Sequence, residues 1–150
     1  MTLSVAESCT GGGVAARLVQ VPDCSLYFLG GIVCYSRVSK EKFLEVKSDT
    51  LARFGEVSSQ TVQEMAVGTL TQFSSDIALA ITGIAGPSGG SPEKPIGTVY
   101  FGIATKGNFP LFWKHLFDGS RPQIISQSIE MALILLWEHL RALSTQSATN

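Results

Sequence analysis

Residues 76–82, DIALAIT, constrain the fold more than any other stretch. An apolar run of strand length has no face to offer water, so both of its faces must be covered, as in the middle of a sheet packed between helices. The rest of the chain supplies such covers. Over 58–73, Val62, Met65, Ala66, Thr69 and Leu70 recur at helical spacing, and over 123–143 Ile125, Ile129, Ala132, Leu133, Leu136 and Leu140 form a second stripe. Segments 2–6, 28–35, 96–105 and 111–117 read as strands, the last two joined by a hairpin at 106–110 where Gly107 and Asn108 supply the turn. Shorter helices are expected over 11–19, from a cap at Ser39 through Phe43, Leu44 and Val46, and over 48–54 before Gly55. The order β-α-β-α-α-β-β-β-α predicts an α/β layered domain with a mixed central sheet flanked by helices.

With 150 residues, 45% of them hydrophobic, the chain has the material for one domain over 1–150, with a polar tail after about residue 144 expected to fray. The net charge is -1 and basic residues nowhere cluster, which argues against a nucleic-acid partner. The longest apolar stretch, Met131 to Trp137, is too short for a bilayer span, and no signal peptide opens the sequence, so a soluble cytoplasmic protein is expected. Cys9, Cys24 and Cys34 form no C-x-x-C and have no histidine at ligand spacing. They read as reduced, small buried residues, without a metal site or a disulfide framework.

Two stretches exceed what packing needs. AESCTGG, 6–12, places Ser8, Cys9, Thr10, Gly11 and Gly12 in a strand-to-helix turn. Free N–H groups there suit an anion or a developing oxyanion, and a hydroxyl can act as nucleophile. Alternatively, Ser8 or Thr10 only caps the helix and the glycines permit close packing. TGIAGPSGG, 82–90, follows the apolar strand at the end where ligands gather in open α/β sheets. It is neither a P-loop nor a dinucleotide fingerprint, and as a loop it can equally be a connection. A serine nucleophile needs a base. His115 falls in an edge strand and His139 on the last helix, which leaves Lys40 as the better candidate, since a lysine in a dry pocket gives up part of its proton affinity; alternatively, Lys40 is a solvated cation at a helix start beside Glu41 and Lys42. Tyr35 lies five residues before it, where its hydroxyl can meet substrate or lysine or be an ordinary strand-end aromatic.

Taken together, AESCTGG (6–12), GGIVCYS with Lys40 following (30–40), GEVS (55–58), MAVG (65–68), TGIAGPSGG (82–90) and KPIGTVYFG (94–102) resemble the CinA carboxy-terminal domain family, known also as nicotinamide mononucleotide deamidases. The resemblance implies hydrolysis of the carboxamide of nicotinamide mononucleotide to nicotinate mononucleotide and ammonia, a step of pyridine nucleotide salvage, without metal or organic cofactor. It implies Ser8 as the catalytic serine, Lys40 as its base and Tyr35 beside both. The substrate-binding set would be Cys9, Thr10, Gly11 and Gly12 on one wall, Thr82, Gly83, Ala85 and Gly86 on the other, and Arg121. Within the first wall Thr10 is the expected helix cap, Cys9 a pocket liner or bystander, and the glycines give room for backbone amides. The nucleotide phosphate is expected on the other loop or at a helix start.

The sequence also departs from the family. Members commonly place an amphipathic helix before the first strand, where this sequence has Met1. After Gly119 they tend to carry two arginines four residues apart, and here the pair is Arg121 and Ile125. A missing guanidinium removes charge-assisted hydrogen bonds of about 1.5–3 kcal/mol each. An alternative therefore stands beside the enzyme: a nucleotide-binding or interaction domain of the same fold with impaired turnover. Self-association as a homo-oligomer is expected to cover strand aromatics such as Tyr100, Phe112 and Trp113.

Overall fold

The computed structural model describes residues 1–147. Five strands form one sheet in the order β2-β1-β3-β4-β5, where β1 is Leu3–Glu7, β2 Phe28–Val33, β3 Ile77–Gly83, β4 Thr98–Thr105 and β5 Leu111–Leu116. β1 runs parallel to β2 and β3, whereas β4 is antiparallel to both β3 and β5. The sheet is mixed, as the sequence predicts. β3 sits at its centre with Ile77 to Thr82 buried, which answers the covering requirement of the apolar run.

The helices divide between the faces. On one side α1 (Gly13–Leu18) and α5 (Arg121–Ser147) cover Val5, Leu79, Ile81, Phe101 and Ile103. On the other α2 (Arg37–Leu44), α3 (Ser48–Phe54) and α4 (Ser59–Phe73) cover Ala6, Ala80 and Ala104. The alternation Val5/Ala6 and Leu79/Ala80 follows the strand period of two: bulky residues meet one helical layer and alanines let the other come close. α4 presses on α2 so closely that a Cβ at Gly68 would lie 1.9 Å from the Leu44 carbonyl oxygen. That glycine fixes the height of α2, and hence of Lys40, over the sheet.

Several boundaries differ from expectation. α2 is capped by Ser36, not Ser39: Ser36 Oγ accepts from the Ser39 amide at 3.2 Å, and Ser39 Oγ accepts from the Ser36 amide at 3.1 Å. The two serines form a reciprocal box, so Ser39 is inside the first turn. Val46 lies beyond the helix, after Glu45 turns left-handed at φ 56°. α5 starts at Arg121 and continues to Ser147, so residues 144–147 are helical where fraying is expected. The rest of the polar tail, 148–150, lies outside the described residues. Of the aromatics expected to be covered by association, Tyr100 and Trp113 pack half-buried against the two cores and Phe112 is exposed. No helix among the described residues is long and apolar enough to cross a membrane.

Candidate active site

The three parallel strands end on the same edge of the sheet, and each delivers residues there. β1 is followed by Ser8, whose amide is tied to the Ile81 carbonyl at 3.1 Å. β2 is followed by Cys34, Tyr35 and then α2, which carries Lys40. β3 ends in Thr82 and Gly83. Sequence positions 32 apart thereby meet: Lys40 Nζ lies 3.1 Å from Ser8 Oγ.

Lys40 is entirely buried. Besides Ser8, its Nζ reaches the carbonyls of Cys34 at 3.0 Å and Tyr35 at 3.3 Å, with the Glu56 carboxylate 3.7 Å away. The geometry has a chemical consequence. If the proton shared with Ser8 leaves, the two carbonyls hold the remaining N–H bonds and the nitrogen lone pair faces the serine oxygen. The arrangement can accept a hydroxyl proton.

The turn bearing Ser8 is organised by a residue that sequence reasoning assigned no role. Glu7 is buried, and its Oε2 accepts from Thr10 Oγ1 at 2.6 Å, the Gly12 amide at 3.2 Å and the Val14 amide at 3.0 Å. Its Oε1 accepts from the Ala15 amide at 2.8 Å. Thr10 is therefore not the helix cap. Gly12 occupies that position with no side-chain bond of its own, and the orphan amides are satisfied by a carboxylate arriving from the strand. Gly11 and Gly12, at φ 60° and 100°, let the chain wrap around that carboxylate. The start of α1 is occupied by the protein's own anion and has no place for a substrate phosphate.

A cavity of about 150 Å³ opens over Ser8, lined by the candidate residues Cys9, Tyr35, Thr82, Gly83, Ala85 and Arg121 and by Glu56 and Val57, which the sequence did not single out. Thr10, Gly11, Gly12 and Gly86 are not on its wall. Gly86 acts through its carbonyl, which accepts from Arg121 Nη1 at 2.7 Å. Arg121 Nη2 in turn donates to the Tyr35 hydroxyl at 2.9 Å. The Tyr35 hydroxyl thus meets arginine, and only its backbone carbonyl meets Lys40. Thr82 Oγ1 donates to the Glu56 carbonyl at 2.9 Å and anchors the far wall. Among the described residues, the amides of Cys9 and Thr10 donate to no other residue, and of the two only Cys9 borders the cavity. Ile125 packs against the apolar core, away from this cavity. A larger groove of about 530 Å³ between α4 and Phe109 has no paired nucleophile and base.

His115 stacks on Phe117, and His139 shares a 2.8 Å hydrogen bond with Thr105, so neither reaches Ser8. Cys9 borders the serine, but burial pushes its thiol up to about 12, and burial likewise pushes Cys34 up to about 11. Thiolate is the reactive form. At pH 8 an alkylating reagent is therefore expected to label the half-exposed Cys24 in the folded protein and to reach Cys9 and Cys34 only on unfolding. Peptide mass mapping checks this. Among the described residues no group of three or more His, Cys, Asp or Glu is arranged to hold a metal ion.

A family model described as the CinA C-terminal domain matches residues 1–140. A putative competence-damage inducible protein of Moorella thermoacetica is 50% identical over 142 residues, which is 95% of this chain and 34% of that protein. A CinA-like protein of Endomicrobium trichonymphae is 49% identical over 94% of this chain and 33% of its own length. The chain thus spans about a third of these relatives. A Shigella flexneri protein named nicotinamide-nucleotide amidohydrolase PncC is 43% identical over 91% of this chain and 83% of its own length. The crystal structure of a competence-damaged protein (CinA) superfamily member from Klebsiella pneumoniae superposes with a TM-score of 0.89 at 38% identity, covering 94% of this chain and 88% of that one. On the family match, the similarity of these relatives and the common fold, the chain belongs to the CinA C-terminal domain family.

Proposed function

We propose that this domain hydrolyses the carboxamide of nicotinamide mononucleotide, releasing ammonia and nicotinate mononucleotide, with Ser8 as nucleophile and Lys40 as base. The observation that carries the reading is the 3.1 Å approach of a fully buried lysine amine to a serine hydroxyl at the floor of a small cavity. The name of the Shigella flexneri relative points to the same substrate class.

In this reading Ser8 Oγ attacks the carboxamide carbon while its proton passes to the Lys40 amine. The Cys9 amide, on the cavity wall beside Ser8, holds the oxyanion. As the C–N bond breaks, Lys40 returns the proton to the leaving nitrogen, and ammonia departs from an acyl ester on Ser8. Water then attacks the ester, Lys40 takes the water proton and delivers it to Ser8 Oγ, and the carboxylate product leaves. Arg121, which bridges Tyr35 and Gly86, offers a cation to the nucleotide phosphate at the rim.

Ammonia release from nicotinamide mononucleotide by the purified protein, compared with Ser8→Ala, is the test. Activity in the parent and at least a thousandfold loss in the variant, about the scale of removing a nucleophile, is the expected pair of results. Equal rates would end the Ser8 mechanism. A second reading, nucleotide binding without turnover, draws on Ile125: its packing in the core leaves Arg121 as the one arginine on the cavity wall. Binding of the nucleotide with no ammonia from the parent protein would favour it.

A further inference from the structure

Glu56, from the otherwise unassigned GEVS stretch, has a side chain 44% exposed and is the one acidic residue lining the cavity over Ser8. Its backbone is pinned, because its carbonyl accepts from Thr82 and the preceding Gly55 carbonyl accepts from Thr61 Oγ1 at 2.7 Å. Its carboxylate, by contrast, makes no hydrogen bond among the described residues and only approaches Lys40 Nζ at 3.7 Å. Glu7, the other carboxylate nearby, is already spent on the donors of its own turn.

Arg121 places a cation on the cavity wall, while the Lys40 amine lies behind Ser8. On charge alone, Arg121 would repel a positively charged ligand unless Glu56 offsets it. Lys40 touches both Ser8 Oγ and Glu56, so the carboxylate lies no farther from the attacking oxygen than those two contacts laid end to end. In a nicotinamide ring the quaternary nitrogen is only three bonds from the carboxamide carbon. A carboxamide held at Ser8 can therefore bring its ring cation near Glu56.

We propose that Glu56 is a specificity residue that recognises the positive charge of an N-substituted pyridinium ring, so that the site prefers the cationic carboxamide to an uncharged ring of the same shape. This rests on the amide-hydrolysis reading for its choice of ligand. The division of labour is electrostatic: Glu56 meets the ring cation and Arg121 the phosphate. A zwitterionic nucleotide satisfies both.

Binding can be separated from turnover by calorimetry in the Ser8→Ala background, with oxidised nicotinamide mononucleotide and its uncharged dihydro form as ligands. The oxidised form is expected to bind more tightly by about fivefold or more, the scale of a partly exposed ion pair. Adding Glu56→Gln should erase that preference, and Glu56→Asp should retain part of it. A preference that survives Glu56→Gln, equal binding of the two forms with Glu56 in place, or binding of neither form overturns the proposal. If the charge preference is found but the parent protein releases no ammonia, the amidase reading fails while the recognition role of Glu56 stands.

Discussion

Lys40→Met is expected to lower the rate of ammonia release by about 10³- to 10⁴-fold, the upper range for loss of a general base, and to leave the protein folded. Methionine matches the length of the lysine stem and suits a position with no solvent exposure. It has no group to take the Ser8 proton. Stability should change less than activity, because two effects oppose each other. The carbonyls of Cys34 and Tyr35 lose a donor, but the protein no longer buries a polar amine, whose removal from water is itself costly. Lys40→Arg should not restore the rate, since a guanidinium stays protonated and is too broad for the same channel. Initial rates with thermal melts decide the matter. A Lys40→Met protein that melts like the parent and retains its rate would remove the lysine from the mechanism.

Glu7→Ala should be costly on both counts, lowering stability by about 3 kcal/mol and activity to background. The carboxylate is buried and holds one hydroxyl, the amide of the cap residue Gly12 and two amides of the first turn of α1. Removing it strands donors at a cost of about 1–3 kcal/mol for each that water cannot reach, and deletes the negative charge that the helix end favours. Ser8 is the next residue, so a turn that relaxes carries the nucleophile away from Lys40. Glu7→Gln should fall between, because the amide keeps one accepting oxygen but turns an N–H₂ group toward other N–H groups. Denaturant midpoints give the stability change, and rates measured well below the midpoint separate misplacement from unfolding. Parent-like stability and rate in Glu7→Gln would refute this role.

What the sequence disclosed and what it hid divide along physical lines. The central strand, the buried face of α4 and the mixed sheet follow from local apolar patterning and are readable, whereas the stripe expected on α5 is offset: Ile124, Ser128 and Leu135 are buried, while Ile125, Ile129, Leu133 and Leu140 lie at its margin. Ser8 and Lys40 could be named as candidates, but their contact joins the end of one strand to a helix following another, and spacing alone does not encode such a meeting. The helix caps were misassigned for a related reason. Short hydroxyl side chains are the usual caps, so Thr10 and Ser39 stood out, whereas the first turn of α1 is held by a glutamate that sequence logic counts as a strand end, and α2 by the serine three positions earlier. An ionisable residue closing an apolar run, as Glu7 does, was the available signal. Glu56 gave none: it becomes noteworthy only when folding sets it beside a buried lysine.

The direction of β1 has a practical consequence. β1 runs from Leu3 toward Ser8, so Met1 and Thr2 lie on the far edge of the sheet from the cavity. α5 starts at Arg121 on the cavity wall, and by Leu140 it has descended to line the same crevice as Met1 and Thr2. Material joined at the start of β1, whether an affinity handle, a surface tether or a fused protein, attaches behind the edge that carries Ser8 and the cavity. Immobilisation through that end would present the open cavity outward, ready for reagent flow.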